Sequence, residues 1–226
     1  MKGQALGLGV AVLAGGPVLR RRYLRWGATD EEVQAGLPGD KTLPGADLVA
    51  TRAITIHAAP MDVWPWLAQM GQGRGGLYSY DWLENLIRCD IHSADRIMPK
   101  WQHIKVGDDV RLTPTLALGV TRVDPGRALV LRGGVPIGAR AAPYDFTWAF
   151  IVGRGPAETT RLVVRERYRY AHWWVALLVE PVELISALMS HKMLRGIRDR
   201  AEGAGTARLG RAFRSPVLTT VAQAAT

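Results

Sequence analysis

The sequence contains a single cysteine, Cys89, among 226 residues. One thiol excludes an intramolecular disulfide and cannot build a thiolate cluster around a metal, and it fits a reducing compartment. Other signatures of chemistry are missing too. There is no HExxH, no paired CxxC, no G-x-S-x-G elbow and no Walker loop, so neither a zinc site nor a phosphate-cradling loop is expected, and no cofactor is implied. No internal repeat is present, and no acidic residue precedes Asp30. The apolar run Ala5–Leu19, "ALGLGVAVLAGGPVL", stops at fifteen residues, short of the roughly 20 that span a bilayer as a helix.

What is present begins with charge. The formal net charge is +9, and the two ends, before Asp30 and after Met189, together carry +10, leaving −1 for the large middle. A nucleic-acid groove should be basic within the folded body, so no nucleic acid is expected as a partner. Three readings fit residues 1–26: a membrane-contacting or short spanning anchor, an arm that is disordered or locally packed, and a cleaved signal. "RRRYLR" directly after the apolar run opposes export, keeps the downstream chain in the cytoplasm, and suits an anionic membrane surface.

Residues 27–48 are rich in Gly, Pro and acid without a sustained apolar period and read as a linker. Order is expected from Val49. "VATRAITIH" is a strand with Ile54 and Ile56 on one face. Pro60 opens a helix carrying Val63, Leu67 and Met70, in which Pro65 is tolerable only in or near the first turn. A second short helix is expected from Ser79 as N-cap, with Leu83, Leu86 and Ile87 on one side. Then come short strands: "DVRL", "ALGVTRV", "ALVLRG", "FTWAFIV" and "TRLVVRERYRY". In the last, Leu162, Val164, Glu166, Tyr168 and Tyr170 share an interior face, and Arg161, Arg165, Arg167 and Arg169 take the watery one. A long helix is expected from Pro181 at its first position to a stop at Gly203, with Val182, Ile185, Leu188, Met189 and Met193 as its core stripe. Residues 203–226 are expected to be a mobile tail.

Gly71, Gly73 and Gly76 spell the G-x-G-x-x-G of a dinucleotide loop. That fingerprint needs a strand before it and alternating strands and helices after it. Helical spacing precedes these glycines and hairpin-like strands come after them. They are better explained by positive φ angles and close backbone approach.

The order strand, helix, short helix, antiparallel strands and long C-terminal helix resembles the START-like or SRPBCC superfamily. The likeness rests on "ITIHAAPMDVWPWLAQMGQGRGGLYSYDWLENL", "VGDDVRL", "FTWAFIV" with "TRLVVRERYRY", and "EPVELISALMSHKMLRGIRDRAE", about residues 49–202. It implies an α+β helix-grip fold, a curved antiparallel sheet around the C-terminal helix, with an apolar cavity between them. Its members bind lipids, sterols or polyketides, and only some are enzymes.

Within such a cavity, Trp66, Met70, Trp82, Trp101, Trp148, Met189 and Met193 either line a ligand site or form ordinary core. Tyr78 and Tyr80 are candidates for its mouth, with Tyr168 on the same interior face as Glu166. Glu166 could orient a ligand or move a proton, or pair with an arginine such as Arg132. In "CDIHSADR", Asp90 could tune His92 for proton transfer; a metal there lacks a second histidine. The expected function is binding of an apolar small molecule, lipid, isoprenoid or polyketide-like. The rivals are a cyclase-like enzyme using Glu166 and His92, and a protein-interaction module.

Overall fold

The computed structural model describes residues 18–134, 142–157 and 159–212, with the side chains of the last helix as far as residue 204. Six strands form one antiparallel sheet in the order β1-β6-β5-β4-β3-β2. They are β1 (Leu48–Ile56), β2 (Asp109–Thr113), β3 (Leu116–Asp124), β4 (Ala128–Gly133), β5 (Tyr144–Arg154) and β6 (Thr160–Tyr170). Between β1 and β2 lie α3 (Pro60–Ala68) and α4 (Asp81–Leu86), and α5 (Ala176–Ala212) closes the fold, packing on β1 and α3. Before the sheet come α1, described over 18–24, and α2 (Asp30–Gln34). This is the expected helix-grip arrangement, α+β with a curved sheet and a long C-terminal helix.

The period of two sets the register. Phe146 pairs with Tyr168, Trp148 with Glu166 and Phe150 with Val164, while Arg52 pairs with Val164 and Ala50 with Glu166. Paired residues share a face, so Glu166 and Tyr168 point inward as expected. The main core joins Ile54, Val63, Trp66, Leu67, Met70, Leu131, Trp148, Phe150 and Met193. A second cluster joins Leu24, Leu48, Tyr168, Val175 and Val179 at the end of the sheet where α5 begins.

Several expectations need correction. Residues 27–48 are not an open linker. Thr29 caps α2 in a capping box, accepting from Glu32 N at 3.2 Å while Thr29 N donates to the Glu32 carboxyl at 2.8 Å. A 3-10 turn comes next at Asp40–Thr42, and Leu43 is buried. This segment covers the outer face of β6, so that face is not simply wet. Arg165 is buried there and uses all five of its N–H donors, on Thr51, Asp40 and the carbonyls of Glu32, Val33 and Ala35. Arg161 pairs with Glu32 at 2.7 Å.

Pro65 sits inside α3, and its helix ends soon after, at Ala68. Tyr80 rather than Ser79 is the N-cap of α4; the Ser79 hydroxyl instead donates to the Met189 carbonyl at 3.1 Å. Leu86 and Ile87 face solvent and Glu84 is buried, the reverse of the expected face. Pro181 lies within α5, because a 3-10 turn at Trp173–Val175 feeds the helix five residues earlier, and α5 passes Gly203 to end at Ala212. Residues 1–17 and 213–226, which hold most of the anchor and tail expectations, lie outside the described residues.

The glycine loop obeys its geometric reading. Gly71, Gly73 and Gly76 have φ of 125°, 71° and 75°, and the preceding element is α3 rather than a strand. A Cβ on Gly76 would meet Ser93 Cα at 2.6 Å and the His92 carbonyl at 2.8 Å.

Candidate functional site

An alternating strand should place apolar residues at Leu48, Ala50, Ile54 and Ile56, yet position 52 on the same face is arginine. Arg52 and its two acidic partners define the interior chemistry. Arg52 donates to Glu166 Oε1 at 3.0 Å, to the Glu183 carboxyl, and through Nε to the Tyr23 carbonyl at 3.1 Å. The side chains of Arg52, Glu166 and Glu183 are at most 2% exposed. Three ionisable groups buried together are tolerable only because they are paired and hydrogen-bonded.

Glu166 is fully occupied. Oε1 accepts from Arg52 and from Ser190 at 3.0 Å, and Oε2 accepts from Tyr168 at 3.2 Å and Ser186 at 3.1 Å. A carboxylate has about four acceptor positions, so none is left for a substrate. Its arginine partner is Arg52; Arg132 is committed at the surface to Asp145.

Glu183 differs. One of its oxygens is held by Arg52, and the other is buried with no hydrogen-bond partner among the described residues. Burial, reinforced by the charge of Glu166 and opposed by Arg52, pushes its carboxyl up to about 8. Glu183 therefore takes up a proton at a higher pH than an ordinary carboxylate does. Burial works against the charge of Arg52, but the two acids outweigh it and hold the guanidinium more firmly protonated.

Beside this cluster the inner face of β5 and β6 becomes aromatic. Tyr144, Phe146 and Trp148 come from β5 and Tyr168 and Tyr170 from β6. Phe146 lies 4.7 Å and Tyr144 5.6 Å from the Tyr168 ring, centroid to centroid, and Trp148 lies 4.8 Å from Phe150. Two donors on this wall, the Trp148 indole N–H and the Tyr170 hydroxyl, are buried without a partner among the described residues. Burial raises Tyr168 well above the ordinary phenol value and Tyr170 to about 12, so both hydroxyls stay protonated.

The residues expected to line a cavity are only partly brought together. Trp148, Glu166 and Tyr168 meet on this wall. Trp66, Met70, Tyr78 and Met193 are buried in the main core, Trp66 edge-on to Tyr78 at 5.9 Å, with the Tyr78 hydroxyl donating to the Trp66 carbonyl. Met189 is half-buried under Ser79, Tyr80 lies half-buried beneath Lys192, and Trp101 is half-buried beside Lys100. Trp82 projects into solvent on α4. His92 is also exposed, 3.2 Å from Asp90, so it does not join Glu166 in the interior. Among the described residues no three His, Cys, Asp or Glu side chains are grouped to hold a metal.

Arg52, Glu183, Ser186 and Ser190 escaped the sequence reading. Their signals were there: one arginine on the apolar side of a strand, and Glu183, Ser186 and Ser190 at helical spacing along an apolar helix.

A cleft of about 700 Å³ lies elsewhere, at the far end of the sheet between Pro60, Arg127 and Gly155. Its walls contain none of the residues above.

No protein-family model matches the sequence, and no curated protein is similar to it. Among solved structures, the chain is similar to the hypothetical protein jhp0584 from Helicobacter pylori, with 11% identity over 74% of this chain and 95% of that one and a TM-score of 0.46. Norcoclaurine synthase from Thalictrum flavum gives 15% identity over 67% and 84% of the two chains, with a TM-score of 0.41. CalU16 from Micromonospora echinospora gives 13% over 72% and 88%, with a TM-score of 0.33. No residue role is transferred from any of them.

Proposed function

We propose that the protein binds an apolar small molecule against the aromatic inner wall of β5 and β6, beneath the start of α5. The observation that carries this reading is the pair of buried donors, Trp148 N–H and Tyr170 O–H, left without acceptors among the described residues on a wall of aromatic rings. An unpaired buried donor costs about 1–3 kcal/mol. A mostly apolar ligand with one or two oxygen acceptors would recover that cost while its body stacks on Phe146 and Tyr168. Lipids, isoprenoids and polyketides all have this character. Binding without turnover is favoured because Glu166 has no free acceptor position. A proton-transfer enzyme would have to work through Glu183, whose carboxyl burial raises to about 8 and which has one oxygen without a hydrogen bond among the described residues.

The test is native mass spectrometry of protein purified without detergent, then solvent extraction and titration with the apolar fluorophore 1-aminoanthracene. A bound apolar mass is expected, or saturable fluorophore binding that oleate, an apolar chain with two oxygen acceptors, displaces about tenfold less well from Trp148→Phe than from the wild type, since that variant removes one hydrogen bond to oxygen and keeps a ring. An apo mass together with no fluorophore binding removes the proposal.

A further inference from the structure

The first half of α5 is built with its polar side inward. Facing the sheet are Val175 from the preceding turn and Val179, Glu183, Ala187 and Ser190, all buried. Facing outward are Leu177, Leu178, Val182, Leu184, Ile185 and Leu188, with Leu177 71% and Ile185 58% exposed. The preceding 3-10 turn adds Trp173, 82% exposed, and Trp174. Of the stripe expected to be core, Val182, Ile185 and Leu188 therefore lie on the outer surface, while Met189 is half-buried and Met193 is buried as expected. The reason lies in the sheet: Arg52 and Glu166 require Glu183, Ser186 and Ser190 as partners, and a helix that turns these inward must turn its leucines out.

A continuous apolar face of this size on a soluble surface marks a contact site. Between Trp173 and His191 the sequence carries only two charged residues, Glu180 and Glu183. Glu183 is buried, and Glu180 accepts two hydrogen bonds from Arg20, at 2.9 and 2.6 Å. That same bond brings Val18 and Leu19 to the place. The run Ala5–Leu19 ends in Val18 and Leu19, both exposed, immediately before Arg20. Cations border the face on both sides: Arg20, Arg21 and Arg22 on α1, and Lys192 and Arg195 one and two turns beyond Leu188.

We infer that the outer face of α5 from Trp173 to Leu188, with the exposed Val18 and Leu19 of α1, docks into the surface of an anionic lipid bilayer, the helix lying in the membrane plane. The stretch Trp173–Ala204 is long and apolar enough to cross a membrane. Its inner side, however, is fastened to the sheet through Arg52, Glu166 and Glu183, so it lies along the bilayer and does not pass through it. An interfacial helix sinks its apolar side chains to a depth of roughly 5–10 Å, with tryptophans at the headgroup level and basic residues on anionic lipids. Trp173 and Trp174 hold the first of these positions, and the bordering arginines and lysine hold the second. A second copy of the chain suits the face less well. Symmetric pairing would bring this cationic border near its own copy, and the face offers no unpaired acid among the described residues to meet it.

The test uses the full chain with vesicles of mixed phosphatidylcholine and phosphatidylglycerol. An environment-sensitive NBD label is attached through Ile185→Cys, or as a control through Arg127→Cys at the far end of the sheet, both on a Cys89→Ser background. The expected result is a blue shift and a several-fold gain in emission at position 185 and none at 127. Co-sedimentation should weaken at least tenfold on Val182→Glu/Ile185→Glu/Leu188→Glu, with an unchanged circular dichroism spectrum, since all three side chains are exposed. Vesicles that pull down the protein with no change at position 185 would show that the N-terminal run alone binds, and would overturn the inference. So would a blue shift that needs no lipid and accompanies a doubled mass in light scattering, which would place a second copy on the face.

Discussion

Replacing Arg52 by methionine removes the one cation that two interior acids share. The guanidinium makes three hydrogen bonds, to Glu166, Glu183 and the Tyr23 carbonyl. Glu166 keeps its three hydroxyl donors, but Glu183 loses its charged partner and the Tyr23 carbonyl loses a donor. Breaking a buried pair from one side costs about 3–5 kcal/mol, a large part of the roughly 5–15 kcal/mol that holds a domain together. With a urea m-value of about 2 kcal/mol/M, the midpoint of unfolding should fall by about 1.5–2.5 M. The assay is equilibrium urea unfolding at pH 7, monitored by tryptophan fluorescence and by far-UV circular dichroism. A companion variant, Arg52→Met with Glu166→Gln and Glu183→Gln, separates lost packing from orphaned acids. The glutamines keep an oxygen acceptor for Tyr168, Ser186 and Ser190 but carry no charge. This triple variant should recover more than half of the loss. A single variant that loses less than about 1 kcal/mol, or a triple variant no better than the single one, would refute the reasoning that Arg52 is an obligatory counter-charge.

Two further outcomes rest on single side chains. The folded-state Glu183 carboxyl, at about 8, lies above the ordinary 4.5, so its proton contributes stability in full below about 4.5 and that contribution is lost as pH rises through about 8. The wild type should accordingly lose stability between pH 5 and 9, and Glu183→Gln should flatten that slope; parallel pH profiles from urea unfolding would count against the assignment. In the glycine loop, Gly76→Ala should cost about 2 kcal/mol or more in thermal unfolding, because φ is 75° and the new Cβ meets the Ser93 backbone. Gly73→Ala, at φ 71° with nothing within 4 Å, should cost only about 1 kcal/mol. Equal losses at the two positions would mean that the close approach to Ser93 carries no energy.

Much of the fold could be read along the chain because strand periodicity is a local property. The face assignment of β6 came from alternation alone: Leu162, Val164, Glu166 and Tyr168 could not be split between two faces without breaking the period. The positive φ of Gly71, Gly73 and Gly76 was likewise local, set by the absence of a Cβ. A local signal also went unread. Thr29 and Glu32 have capping-box spacing, and α2 begins there. The high content of Gly, Pro and acid around it suggested a linker, because the arginines of β6 that fasten this segment lie some 130 residues away.

The sequence by itself determined the order of the elements from β1 onward, the inward side of the last strand, and a carboxylate, Glu166, on that side. Tertiary structure decided which arginine meets it. Arg132 and Arg52 differ in nothing local, but β1 lies beside β6 and carries position 52 across from Val164, one pleat from Glu166 on the same face, whereas Arg132 lies on β4 opposite Thr147, on the outer face beside Asp145. Tertiary structure also decided which side of α5 is buried. A helical stripe of Val182, Ile185 and Leu188 says that the helix has an apolar face, and nothing in its period says what that face touches. The buried charge in the sheet chose the opposite side, because an unpaired buried ion costs more than leucines left in water or in lipid.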